Sequence, residues 1–255
     1  MMFLAMMIAL SLHQVVHTTL QRQGDGALLG WERWLRDHVG AAGLAELLVL
    51  LLPLLALLWV LSRIEPLLFG LPNLLITAAM LFWSLGREDY HTLLERYIAA
   101  TDGDEPAAAD VVRGLWLPCP EPSDDTAAQQ RLLYCGFQRW FAPLFYFLAL
   151  GPVAAVAYRL IQLYAVADRG GLYRDFLRLA DWVPVRLLAL SFALTGDFVA
   201  VVRSARFDRL VSAPALLYTA AAASAQTLDG RGLRDLLYRT AGLWLLLASL
   251  LIIAF

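Results

Sequence analysis

The sequence predicts an all-α protein, a polytopic bundle of membrane helices with cytoplasmic helical segments, and three observations predict it. Hydrophobic residues make up 60% of the 255 and charged residues only 16%, with a mean hydropathy of +0.62; soluble domains carry about 45–50% apolar residues and about a quarter charged ones. Several apolar runs reach the roughly 20 residues needed to cross about 30 Å of hydrocarbon. No segment alternates with the period of a strand, and no repeat is visible.

The elements follow in chain order. The opening run 1-MMFLAMMIALSL-12 has neither a basic leader nor a small-residue cleavage site, so 1–20 reads as a retained first helix, interrupted by His13 and His17. Two runs are unambiguous spans, 43-GLAELLVLLLPLLALLWVLS-62 and 66-PLLFGLPNLLITAAMLFWSL-85; only Arg63, Ile64 and Glu65 lie between them, which makes a tight hairpin. A third clear span covers 141–163, a weaker one covers 183–202, and 238–255 is the last. The sequence therefore has four clear spans and up to six, within a single membrane domain over 1–255. Pro53, Pro72, Pro143 and Pro152 imply kinks, which membrane bundles tolerate when neighbours re-satisfy the released carbonyls. Trp59, Trp83, Trp140, Tyr146, Tyr158, Tyr164 and Trp182 gather near run ends as an interfacial belt.

Two polar segments remain, 86–140 and 203–239. In the first, Tyr90, Leu93, Leu94, Tyr97 and Ile98 share one face at helical spacing, so 87–100 predicts an amphipathic helix. A further helix is expected after Asp102 or Asp104 as cap with Pro106 in its first turn, then a Pro-rich acidic loop at 117–125 and a helix over 126–141. The second segment reads as a helical hairpin turning at Asp229 and Gly230. All basic residues are Arg, twenty in number. With six spans, the loops 21–42, 86–140 and 203–239 hold three, five and six Arg, fourteen in all, against five on the opposite side, among them Arg63, Arg159, Arg174 and Arg178. The bias puts 86–140 and 203–239 in the cytoplasm.

A net charge of −2 gives no footing for a nucleic-acid partner. Cys119 and Cys135 have no Cys or His companions at metal spacing. No glycine-rich phosphate loop and no nucleophile elbow occurs. Accordingly no catalytic residue, metal site or cofactor is assigned.

The residues left to explain are polar ones inside oily runs. Asp181 reads as an N-cap, with Pro184 in the first helical turn after it. If that helix continues, Arg186 and Asp197 are eleven residues apart, lie on one face and sit about 16 Å apart along the axis. Charges at such depth face a bundle interior or a watery path. Tyr158 and Arg159 could face the same interior, so Tyr158, Arg159, Asp181, Pro184, Arg186 and Asp197 form a candidate polar pocket. The expectation is that Arg186 pairs with Asp181 or Asp197, or shares a pocket with Arg159. Against it stands the plainer reading, in which the arginines mark the water interface. Arg87, Glu88, Tyr90 and His91, directly after the second span, form a candidate site on the cytoplasmic helix; a solvated helix start is the plainer alternative.

The segments 141-FAPLFYFLALGP-152, 158-YR-159 and 181-DWVPVRL-187, in that order and spacing, resemble the AmpE family of Gram-negative inner-membrane proteins. The hairpin 43–85, the helix bearing Tyr90 and His91, and the C-terminal span fit its layout. The resemblance implies a multi-pass protein of the bacterial inner membrane with an accessory signalling role in β-lactamase induction under cell-wall stress. It also implies, as partners, the lipid bilayer and a cytoplasmic or membrane protein. AmpE in turn resembles the CobD/CbiB synthetase of cobamide biosynthesis. That family's pattern places a Glu-Asn pair and an Asp before Ala-Pro-Leu-Phe, and an Asn and an Asp after Tyr-Arg. This chain has Tyr134, Cys135 and Gln138, then Gln162 and Ala165, at those positions. An ATP-linked synthesis needs acids to hold metal, so the resemblance points away from that activity. A divergent enzyme, with Arg159 and Arg186 holding an anionic small molecule, is the alternative.

Overall fold

The computed structural model of the chain describes residues 2–16, 25–39, 42–64, 70–86, 90–103, 111–112, 124–167, 171–204, 211–225 and 230–254. Among these residues every regular element is helical. The α-helices are α1 Met2–Val16, α2 Asp25–His38, α3 Ala42–Ile64, α4 Leu71–Ser84, α5 Tyr90–Gly103, α6 Asp125–Gly136, α7 Ala142–Leu150, α8 Pro152–Ala167, α9 Leu172–Thr195, α10 Phe198–Ser204, α11 Ala213–Ser224 and α12 Gly230–Ala254; a π-helical turn, Phe137–Phe141, joins α6 to α7. Asp104, Pro106 and Cys119 lie outside the described residues, whereas Asp102 continues α5.

One described helix is long and apolar enough to cross a membrane, over Leu44–Ile64, with 11% of its apolar window buried. Phe3–His13, Leu71–Ser84 and Pro152–Ala167 are apolar but shorter. The run expected to form one span at 141–163 is broken. Gly151 takes φ 89°, a left-handed value that suits glycine, and Pro152 begins the next helix. The resulting helices of 9 and 16 residues reach about 14 and 24 Å, each short of a bilayer core. The run at 183–202 is broken too, because α9 stops at Thr195 and α10 starts at Phe198.

The chain divides into two compact units. The first, Met1–Glu88 with Pro143–Leu177, packs α1 on α4, α4 on α8, α2 on α3 and α3 on α8. Ala5, Met6, Ala9, Ala45 and Val49 are buried there, the small side chains letting helix backbones approach closely. Leu44, Leu51, Leu55, Leu58 and Trp59 of α3 stay exposed. Tyr173 donates from its hydroxyl to the Glu46 carbonyl at 3.0 Å. That bond brings the start of α9 to the start of α3 within the first unit, two ends that the six-span reading assigns to opposite sides. The run between them breaks at Gly151 into two short helices instead of one span. Tyr158 and Tyr164 are likewise buried, 2% and 0% exposed, and belong to the core rather than to an interfacial belt.

The second unit is Asp89–Ala142 with Arg178–Phe255. The amphipathic reading of α5 holds: Tyr90, Leu93, Leu94, Tyr97 and Ile98 are all buried. Helix α6 starts on Asp124, whose carboxylate accepts from the Ala127 amide at 2.7 Å, a side-chain N-cap. It then widens into the π turn, where the Ala142 amide reaches back five residues to the Phe137 carbonyl. Pro143 follows directly, and its ring would clash with the carbonyl four residues earlier in a regular helix. Three glycines permit close packing. A Cβ on Gly136 would lie 2.5 Å from Tyr90 Cζ, on Gly196 2.5 Å from the Ser224 carbonyl oxygen, and on Gly230 2.8 Å from Ile98.

Candidate functional site

Of the six residues grouped as a polar pocket, Tyr158 and Arg159 belong to the first unit and Asp181, Pro184, Arg186 and Asp197 to the second. Within the first, Tyr158 is buried and stacks on Tyr146 at 5.3 Å. The Arg159 guanidinium donates to Gln162 Oε1 at 2.6 Å and lies over Gly86, where a Cβ would come within 3.5 Å of it. Gln162 stands where the synthetase pattern has an Asn; here it holds an arginine one turn away.

Within the second unit, α9 runs unbroken through Pro184. Asp181 is therefore an interior helical residue, 1% exposed, and not a cap. Its Oδ2 accepts from the Tyr134 hydroxyl at 2.5 Å. An aspartate so buried is costly without strong hydrogen bonds, and the phenol supplies one across 47 residues of sequence. Arg186 points toward the N-terminal end of α9: its NH1 donates to the Trp182 carbonyl at 2.9 Å, and its Cζ sits 4.4 Å over the Trp182 ring. Asp197 is not on that helix. Its Oδ1 accepts from the Ala200 amide at 2.9 Å, capping α10, and its own amide donates to the Ser224 carbonyl. The one-face geometry expected for Arg186 and Asp197 is lost at Gly196, because the backbone must bend there to meet Ser224.

On the α5 side, Arg87 and Glu88 lie outside the described residues. Tyr90 faces inward and donates to the Leu132 carbonyl at 3.1 Å, with Trp140 edge-on at 5.7 Å. Burial pushes its phenol well above the ordinary tyrosine value. His91 faces outward: its Nδ1 is hydrogen-bonded to the Tyr238 hydroxyl and lies 3.9 Å from Glu95. Glu95 also pairs with Arg234 at 3.2 Å, and that hydrogen bond raises the arginine further above its already high value. These contacts tie α5 to the polar start of α12.

Sequence reasoning missed two groupings. Between α9 and α12, Trp244 Nε1 donates to Ser191 Oγ at 2.9 Å, and the hydroxyls of Thr195 and Thr240 meet at 3.1 Å. The signal was a matched i, i+4 pair of polar side chains on each helix, Ser191 with Thr195 and Thr240 with Trp244. In the first unit, Arg36 NH2 lies 2.8 Å from Glu32 and 3.5 Å from Glu46, beside the Tyr173–Glu46 bond. Burial, with those two carboxylates, pushes the Tyr173 phenol upward. Among the described residues no group of His, Cys, Asp and Glu has the arrangement of a metal site.

Among the described residues, polar contacts join the apolar helices within each unit. The family model described as "Regulatory signalling modulator protein AmpE" matches residues 4–226, and the chain belongs to the AmpE family. It is 28% identical over 158 residues to "Protein AmpE" of Shigella flexneri, an alignment covering 53% of this chain and 55% of that protein. The chain thus spans about half the length of the curated relative it matches. No solved structure matches the chain.

Proposed function

We propose that this chain is a multi-pass protein of the bacterial inner membrane that serves as an accessory component in the induction of β-lactamase under cell-wall stress. The observation that carries the reading is the match to the signalling-modulator family across residues 4–226. The membrane setting is supported by the exposed leucines of α3 and by Leu245, Leu246, Leu247 and Leu250 of α12, since soluble surfaces rarely expose apolar patches of that extent. In this reading α3 and α12, of 23 and 25 residues, cross the bilayer, and α7 with α8 forms a re-entrant pair whose ends return to one side. The outward surface of α5 docks a cytoplasmic partner.

The experiment is deletion of the gene in its host, followed by a β-lactam challenge with β-lactamase activity as readout. Altered induction, restored by the wild-type gene on a plasmid, supports the reading. Unchanged induction at every drug concentration removes it.

A further inference from the structure

Helix α2 divides into three stripes, each at the i, i+4, i+7 spacing that keeps side chains along one line of a helix, and each turned about 100° or more from the others. Leu28, Glu32 and Leu35 form the inner stripe. Glu32 and Leu35 are buried, α2 packs on α3, and Arg36, beside this stripe, joins Glu32 to Glu46. Gly26, Gly30, Arg33 and Asp37 form a polar stripe, on which Arg33 and Asp37 are exposed. Ala27, Trp31 and Trp34 form the third, which holds no charged group.

The third stripe is aromatic and faces outward. Ala27 is exposed, Trp31 is half-buried and Trp34 is 52% exposed. Trp34 is held from within its own helix: Trp31 stacks on it at 5.5 Å and His38 at 4.5 Å, and His38 Nδ1 is bonded to the Trp34 carbonyl at 2.7 Å. An indole has an apolar body and one polar N–H, so it suits the boundary between hydrocarbon and water. A helix with a protein side, an uncharged aromatic side and a charged side meets the three environments found at a membrane surface.

The level of the stripe says what covers it. Arg36 reaches Glu46 at 3.5 Å, which sets the last turn of α2 beside the beginning of α3. Leu44 and Leu47, both exposed, lie within two residues of Glu46. The apolar outer surface of α3 starts there and continues through Leu51 and Leu55, so Trp34 lies at the margin of the surface read as facing lipid. Arg33 and Asp37 are opposite in sign and give the polar stripe no net charge with which to steer a charged partner.

Resting on the reading of this chain as a membrane protein, we propose that α2 is an interfacial helix whose Trp31–Trp34 flank seats in the headgroup boundary of the bilayer, with Arg33 and Asp37 turned to water. The seat sets the level at which α3 enters the membrane. Through the bond from Tyr173 to Glu46 it also sets the level of the start of α9.

The test uses the full chain in vesicles of phosphatidylethanolamine and phosphatidylglycerol, in a background lacking Cys119 and Cys135, with one spin-labelled cysteine at a time. Ala27→Cys reports the aromatic flank, Arg33→Cys the polar flank and Leu55→Cys the exposed middle of α3. Collisions with oxygen, which concentrates in lipid, and with a water-soluble nickel chelate give the depth of each label. The Ala27→Cys label is expected about 5–10 Å into the headgroup boundary, the Arg33→Cys label in water and the Leu55→Cys label deep in hydrocarbon. Adding Trp34→Ala should move the Ala27→Cys label toward water, and adding Trp34→Phe should move it less. An Ala27→Cys label as open to nickel as the one at Arg33→Cys, or unmoved by Trp34→Ala, overturns the proposal. A label closed to both nickel and oxygen overturns it in favour of a protein cover, a second copy of this chain included. A Leu55→Cys label open to nickel defeats the membrane reading as well, whereas a deep Leu55→Cys label with Ala27→Cys in water defeats only the seat of α2.

Discussion

The Tyr134 hydroxyl donates to Asp181 Oδ2 at 2.5 Å, joining the last turn of α6 to the middle of α9 inside the second unit. Both side chains are buried. Removing the donor leaves a carboxylate that has lost one strong hydrogen bond in a place water does not reach. Tyr134→Phe should destabilise the protein by about 1.5–3 kcal/mol, the worth of a hydrogen bond to a charged group. Asp181→Asn, which keeps an acceptor for the phenol without the charge, should cost less. Thermal unfolding in detergent followed by circular dichroism ranks the two, and the reverse order would mean that the carboxylate is held chiefly by other groups.

The glycines make opposed predictions. Gly196 carries its missing Cβ into the backbone of Ser224, at 2.5 Å from the carbonyl oxygen. Backbone cannot move aside cheaply, so Gly196→Ala should destabilise by about 1–3 kcal/mol, the usual cost of overpacking. Gly30, in the amphipathic helix α2, has open space where a Cβ would go. Gly30→Ala should stabilise that helix by up to about 1 kcal/mol. A melting comparison of the two variants checks both signs at once.

Tyr90 gives the pH dependence. Its folded pKa is raised, mainly by burial. Above the ordinary tyrosine value of about 10, the unfolded chain releases this proton while the folded chain keeps it. The native state then binds more protons than the unfolded one, so stability falls as pH rises, by about 1.4 kcal/mol per pH unit for one such group. Below pH 10 the group has no effect. Tyr90→Phe should lose the hydrogen bond to Leu132, lowering stability at neutral pH, and should flatten the alkaline decline. Urea titrations at pH 8 and pH 11 provide the comparison, and an equally steep decline in the variant would assign it to other groups.

How far these features were legible depends on the range of their causes. The buried face of α5 could be read because its apolar residues repeat at helical period, a local signal that packing did not override. The Asp124 cap was missed although its position before an apolar-periodic helix was a usable sign. Pro184 misled, since Asp181 followed by proline has the pattern of a helix start, yet α9 already runs from Leu172 and passes through the proline. The Gly151–Pro152 break was present in the letters but submerged in a continuously apolar run. Nothing local announced Tyr134 with Asp181. An aspartate beside an oily run said only that some partner must exist, and only the fold brings a residue 47 positions away to meet it.

The sharpest prediction concerns the sides of the membrane. Arg36 lies between Glu32 and Glu46, and the carbonyl of Glu46 accepts from Tyr173. These contacts fix the end of α2, the start of α3 and the start of α9 at one end of the first unit. Arg36→Met would leave two carboxylates facing one another. It should cost about 2–3 kcal/mol, below the 3–5 of a fully buried pair because Arg36 keeps about a third of its side chain exposed. The same geometry predicts accessibility. In a background lacking Cys119 and Cys135, single cysteines at the exposed positions His38 and Arg174 should react with a membrane-impermeant maleimide from the same face of the membrane. A strict alternation of six spans requires opposite faces. Labelling of both only after the membrane is opened, or of both in intact spheroplasts, follows from the Tyr173–Glu46 bond; labelling of one without the other contradicts it.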